Sequence, residues 1–171
     1  ANKIKLFYQF HKILIFVKKP HQYMQTTYIE TQQVSFQEFK KQILEDYKLG
    51  RISREMSYLA RREVLTGKAK FGIVGDGKEL PQLAMAKVFR NGDFRSGYYR
   101  DQTFALAVGA LTIESFFAQL YADTSLEREP ASVGRQMNCH FATRSLNEDG
   151  SWKNLTKIKN ISSDISPTAG Q

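Results

Sequence analysis

The stretch Gly92-Asp93-Phe94-Arg95-Ser96-Gly97-Tyr98-Tyr99-Arg100-Asp101 decides how this chain is read. Phe94, Ser96 and Tyr98 alternate with Arg95, Gly97 and Tyr99, the two-residue period of a strand. Gly92 closes the element before it, and Asp101 with Thr103 opens a helix after it. A strand between helical runs makes the chain α/β, a helix-rich amino-terminal layer leading into the start of a parallel sheet. Ligands of open α/β sheets sit at the carboxyl ends of strands, where Tyr99 and Arg100 fall. A guanidinium is well shaped to grip an anion such as a phosphate. The plainer alternative is a buried tyrosine pair with an arginine reaching out to water.

Upstream, Ser35-Phe36-Gln37-Glu38 has the form of a capping box. Phe36, Phe39, Ile43 and Tyr47 recur at helical spacing up to Gly50, the expected stop. A second helix is expected from a Ser53 cap to Thr66-Gly67. It carries Met56, Leu59, Ala60 and Val64 on one face, with Arg54, Arg61 and Arg62 on a solvated or partner-facing one. Lys68 to Glu79 reads as a glycine-bearing loop, and Pro81 suits the first turn of the next helix, with Leu80, Leu83, Ala84, Lys87 and Val88 at helical spacing. Residues 1–34 form a poorly defined leader in which Met24 is an alternative start, and residues 35–171 form one domain.

Downstream, Phe104, Ala107, Val108 and Leu111 mark a buried helix, and Thr112 caps another whose Phe116, Phe117, Leu120 and Tyr121 face the core. From Ala122 onward periodicity fades into a long Ser-, Asn- and Gly-rich segment, of the kind that is usually functional or mobile. Its end, Ser166-Pro167-Thr168-Ala169-Gly170-Gln171, reads as a turn poised to start a further element.

Composition narrows the classes. The net charge of +8 fits a nucleic-acid surface, an anionic cofactor or an acidic partner. The basic residues occur in short doublets, and no RNA-binding signature or zinc-finger spacing accompanies them. A single cysteine, Cys139, excludes an internal disulfide and a four-cysteine metal site and fits a reducing cytoplasm. The apolar run from Leu6 to Val17 is too short and too polar for a membrane span. Gly134-Arg135-Gln136-Met137-Asn138-Cys139-His140-Phe141 is a second candidate, since His140 beside an arginine can bind an anion or move a proton. A plain surface histidine is the alternative. Cys139 and His140 are adjacent, which is poor geometry for a nucleophile and its base.

Four stretches in register give the chain a resemblance. They are Gly75-Asp76-Gly77-Lys78-Glu79-Leu80-Pro81-Gln82, Gly97-Tyr98-Tyr99-Arg100-Asp101, Gly134-Arg135-Gln136-Met137 with His140-Phe141, and Ser166-Pro167-Thr168-Ala169-Gly170-Gln171. Together they make the chain from about Ser53 resemble the alpha subunit, or alpha-like half of a fused chain, of the thiamine-diphosphate-dependent 2-oxo acid dehydrogenases. The Gln-Met and Ser-Pro forms resemble the branched-chain (2-oxoisovalerate) type. The resemblance implies a thiamin-diphosphate-binding fold in which Tyr99 and Arg100 hold the diphosphate, Ser166 and Thr168 border the cofactor, and the catalytic candidate His140 lies on a loop at the active site.

The activity implied is oxidative decarboxylation of a branched-chain 2-oxo acid with acyl transfer to a lipoyl group, in a cytoplasmic multienzyme complex. The implied partners are a beta subunit or fused beta-like half and a lipoyl acyltransferase, in an oligomer without nucleic acid or membrane. The resemblance implies magnesium ligands beyond Gln171; Gly75-Asp76-Gly77, with no asparagine two dozen residues later, reads as a turn. The chain would then be an amino-terminal fragment, inactive alone. A potassium site near the last segment is in doubt, since Ile165 and Gly170 replace expected hydroxyl residues. The alternatives are a pyruvate-type enzyme, a basic nucleic-acid-binding module, and a non-catalytic assembly subunit.

Overall fold

The computed structural model describes residues 34–164. The leader, except for Val34, and the candidates Ser166 and Thr168 lie outside the described residues. Those described form four helices and a small three-stranded mixed sheet, so the chain is α/β. No described helix is long and apolar enough to cross a membrane.

Helix α1 spans Phe36–Leu65. Ser35 caps it, its hydroxyl accepting the Glu38 N–H at 3.2 Å. The two helices expected from the sequence are this single element: neither Gly50 nor Ser53 breaks it. Ser53 is buried at the α3 contact, where its hydroxyl meets that of Thr103 at 2.7 Å. Gly50 lies beside α2 (Glu79–Val88), and a Cβ added there would stand 3.5 Å from Leu83 Cδ1 and 3.8 Å from Glu79 Cβ. These are ordinary contact distances. Glycine in a helix interior costs roughly 0.5–1 kcal/mol relative to alanine. Gly50→Ala should therefore raise stability by about that much, seen as a higher urea midpoint; a lower midpoint would contradict the continuous helix.

The carboxyl-terminal half of α1 buries Met56, Ala60, Ser53 and Ser57. They meet α3 (Gln102–Ala107) and α4 (Ile113–Leu120), whose Phe104 and Phe116 are fully buried. Thr112 opens α4 with a reciprocal capping box, its hydroxyl accepting the Ser115 N–H at 3.1 Å while Ser115 Oγ accepts its own N–H at 3.0 Å. The amino-terminal half of α1 carries the apolar residues Phe36, Ile43, Leu44 and Tyr47 exposed, so the helical period read there is real but its face is not core. On α2 the buried face is Glu79, Gln82 and Leu83, while Leu80 and Val88 point to solvent.

The strand read at 92–99 is β1, Phe94–Tyr98. The segment past Ala122 supplies the other two strands, which the missing periodicity concealed: β2 (Phe141–Ala142) and β3 (Asn160–Asp164). The order is β1-β3-β2, with β1 parallel to β3 and β2 antiparallel to it. The expectation of a purely parallel start is corrected to a mixed sheet. The parallel pair is in register from Phe94 with Asn160 to Tyr98 with Asp164. Ile161, Phe141 and Cys139 join the helical core from this side.

Candidate functional site

Asp101 governs the turn that follows β1. Its position is the N-cap of α3, yet its side chain caps nothing in that helix. It turns back toward the strand instead: Oδ2 accepts the Tyr98 N–H at 3.0 Å and two N–H groups of Arg95 at 2.9 and 2.6 Å. Arg95 also lies over the Phe104 ring, 5.2 Å from its centroid. The first arginine of the strand is thus committed to structure. The second is not. Arg100 is exposed, stacks 5.4 Å from the Tyr99 ring, and pairs with no carboxylate among the described residues.

The tyrosines next to it are aligned. Their ring centroids are 4.1 Å apart, and the Tyr98 hydroxyl donates to that of Tyr99 at 2.8 Å. That bond, with burial, raises the Tyr98 phenol above its ordinary value. Tyr99 accepts in this bond, so its own O–H stays available as a donor. A half-buried tyrosine pair with an arginine reaching out to water is the arrangement of the plainer reading. Together they leave a phenol O–H and a guanidinium at the end of β1, donors of the kind that suit a diphosphate.

The second candidate loop is built by Glu129, buried at 1 % exposure. Its carboxylate accepts the N–H groups of Ala131, Ser132 and Gly134 and the Ser132 hydroxyl, at 2.6–3.1 Å. Gly134 has φ +75°, and a Cβ there would fall 2.6 Å from the Ala122 carbonyl oxygen, so only glycine fits. The loop presents Arg135, Gln136 and Met137 to solvent. Burial works against the Glu129 charge, but the Ser132 hydroxyl and the amides of Gly134, Ser132 and Ala131 outweigh it and lower its pKa below the ordinary 4.5. A carboxylate depressed on folding contributes stability that is full above its unfolded pKa and lost as pH falls through the folded one. Glu129→Gln should therefore cost about 1–3 kcal/mol at pH 7 and lose less than the native chain on acidification below about pH 4. Urea titrations at pH 7 and at low pH check both; parallel acid losses would refute the role.

His140 follows this loop, half-buried, with Nδ1 2.8 Å from the Met137 carbonyl oxygen. Cys139 is fully buried at φ +71°, its thiol 3.0 Å from the Ile73 carbonyl oxygen. Burial pushes that thiol up to about 12, so it is no nucleophile at neutral pH. Gly75-Asp76-Gly77 is a turn into α2, as read. Asp76 accepts from Arg61 at 2.8 Å, and the Gly77 N–H donates to the Glu79 carboxylate, which a bidentate bond to Arg54 at 2.6 and 2.7 Å holds below its ordinary value. The arginine face of α1 is thus largely paired. Among the described residues no cluster of three or more His, Cys, Asp and Glu side chains could hold a metal ion.

Sequence reading missed the buried carboxamides that hold these loops. Gln82 donates to the Arg100 carbonyl at 2.9 Å and accepts the Phe104 N–H at 3.0 Å. Gln119 donates to the His140 carbonyl at 2.8 Å and accepts its N–H at 3.0 Å. Asn138 does the same for Ile73, at 2.7 and 3.0 Å. Gln102 bonds the Ser53 carbonyl at 2.8 Å. For the three glutamines the one sequence signal is a polar residue at an apolar position of a helix; Asn138 lies in a loop and gives none. Compared with protein families, with curated proteins and with solved structures, the chain matches none.

Proposed function

We propose that the chain is part of a thiamine-diphosphate-dependent decarboxylating dehydrogenase acting on a branched-chain 2-oxo acid, with Tyr99 and Arg100 holding the diphosphate. The observation that carries this reading is the parallel register of β1 and β3. Tyr98 and Asp164 end the two strands side by side, so Tyr99-Arg100 leaves the carboxyl end of one, and Ser166 follows the neighbouring one by two residues. The carboxyl end of such a parallel pair is where α/β sheets take ligands.

The residues present fit such a group. Arg100 supplies a cation that no carboxylate among the described residues neutralises, and the Tyr99 O–H supplies a second donor; both are groups that suit anionic oxygens. When bound, thiamine diphosphate supplies the electron sink for losing carbon dioxide from a 2-oxo acid. The chain's own part is to bind the diphosphate end, to fix its orientation, and to offer His140 as a proton-handling group near the Arg135 loop. A beta-like half, a lipoyl acyltransferase and magnesium complete the proposed machinery.

The test is a thiamine diphosphate titration with magnesium, on protein expressed from the complete reading frame. One charge-assisted bond is worth about 1.5–3 kcal/mol, so Arg100→Ala should weaken binding roughly 10- to 100-fold. Arg100→Lys should restore only part, lacking the planar fork. Unchanged affinity for the alanine variant would overturn the reading. Turnover of branched-chain 2-oxo acids against pyruvate then fixes the substrate class.

A further inference from the structure

We propose that Gln82 and Gln119 are positioning residues, each fixing the main chain of one candidate site residue from within a helix. The inference rests on the reading of Arg100 and His140 given above and adds how they are held. An exposed side chain binds an anion well only if its backbone does not move, since every freedom lost on binding weakens the complex. Arg100 is exposed, outside any helix or strand, and followed by a short six-residue helix. Local hydrogen bonding alone would leave it loose.

The structure cages its backbone from three sides. Gln82, on α2 and only 6 % exposed, donates to the Arg100 carbonyl and accepts the Phe104 N–H, spanning the entire turn with one side chain. Asp101 ties the same turn back to the Tyr98 N–H. Gly75 lies against it so closely that an added Cβ would be 2.6 Å from the Arg100 carbonyl oxygen. The guanidinium meets no carboxylate among the described residues while its main chain is clamped.

The same device recurs at His140. Gln119, on α4 and 3 % exposed, takes both main-chain groups of His140 in one bidentate contact. The residue before it, Cys139, is in the left-handed region, a conformation that needs support in a non-glycine residue. An amide side chain is the right tool for this. It offers one donor and one acceptor in a plane, matching a peptide group, with no charge to bury. Two helices thus hold the two sequence-predicted residues by the same chemistry.

The test compares Gln82→Met and Gln119→Met with Met56→Ala, a core truncation in α1 that loosens the fold and removes no hydrogen bond of either clamp. Gln82→Met should raise the dissociation constants for thiamine diphosphate and for inorganic pyrophosphate at least tenfold. Gln119→Met should leave both within threefold and lower turnover at saturating cofactor at least tenfold. Met56→Ala should lower the melting temperature as much as either and change neither property. Amide hydrogen exchange supplies a reading without ligand: Phe104 should lose protection selectively in Gln82→Met, and His140 in Gln119→Met. Native affinity in Gln82→Met, native turnover in Gln119→Met, or exchange spread equally over all three variants would overturn the proposal. If the native protein binds neither ligand, the thiamine reading falls, and the exchange pattern alone then decides whether the clamps exist.

Discussion

Asp101→Ala should lower folding stability by about 3 kcal/mol, the low end of the range for removing one partner of a buried ion pair. Asp101 is 5 % exposed and accepts three N–H groups on Oδ2, two from Arg95 and one from Tyr98. Without it, the Arg95 guanidinium stays over Phe104 with its charge unanswered, and the Tyr98 amide loses its acceptor. The Arg95 side chain retains 29 % exposure, so water relieves part of the cost and places the effect at the lower bound. The expected observation is a lower urea midpoint with an unchanged denaturant slope. A loss under about 1 kcal/mol would mean that the pair acts as an exposed one.

Phe104→Ala should cost about 3–5 kcal/mol, as fully buried phenylalanines do when truncated to alanine. Its ring is inaccessible to solvent, packs edge-on against Phe89 with centroids 5.1 Å apart, and forms the floor beneath Arg95. The two substitutions share Arg95, so they should not add. The double variant should lose less than the sum of the singles, by roughly 0.5–3 kcal/mol. Simple additivity would place Asp101 and Phe104 in separate networks.

The sequence made apolar periodicity and caps legible: the Ser35 and Thr112 caps and the β1 alternation stand where their chemistry puts them, and on α4 Phe116 and Leu120 are buried as expected while Tyr121, expected in the core, is largely exposed. What it concealed has one physical cause. Residue types that normally face water are buried here against main-chain groups, and periodicity records only apolar burial. Ser53 reads as a cap and is an interior contact; Asp101 reads as a cap and is the anchor of a strand. Gln82, Gln102 and Gln119 fall outside the apolar pattern and are buried. Gly50 reads as a stop because the stop signal depends on backbone conformation, which α2 packing settles in favour of helix. Strand β3, Asn-Ile-Ser-Ser-Asp, has one apolar residue, so its pairing follows from β1 and β2 rather than from its own composition.

Of the site, Tyr99 and Arg100 could be placed from sequence because a strand end is a local feature. The loop around His140 could be named but not built, since its shape depends on Glu129 and on a glutamine 21 residues away. Long-range polar bonds leave no period in a sequence.

The parallel pairing of β1 with β3 also sets a schedule for synthesis. Phe94 must wait for Asn160, and Tyr98 for Asp164. At about 5–20 residues per second on the ribosome, the partner strand is finished roughly 3–13 s after β1. Through that interval β1 has emerged without its ladder, and a strand lacking its partner is a template for pairing with another chain. Translation speed beyond residue 98 is therefore a lever on the yield of correctly folded protein, independent of how stable the finished molecule is. Slow codons placed there lengthen the wait, and fast ones shorten it.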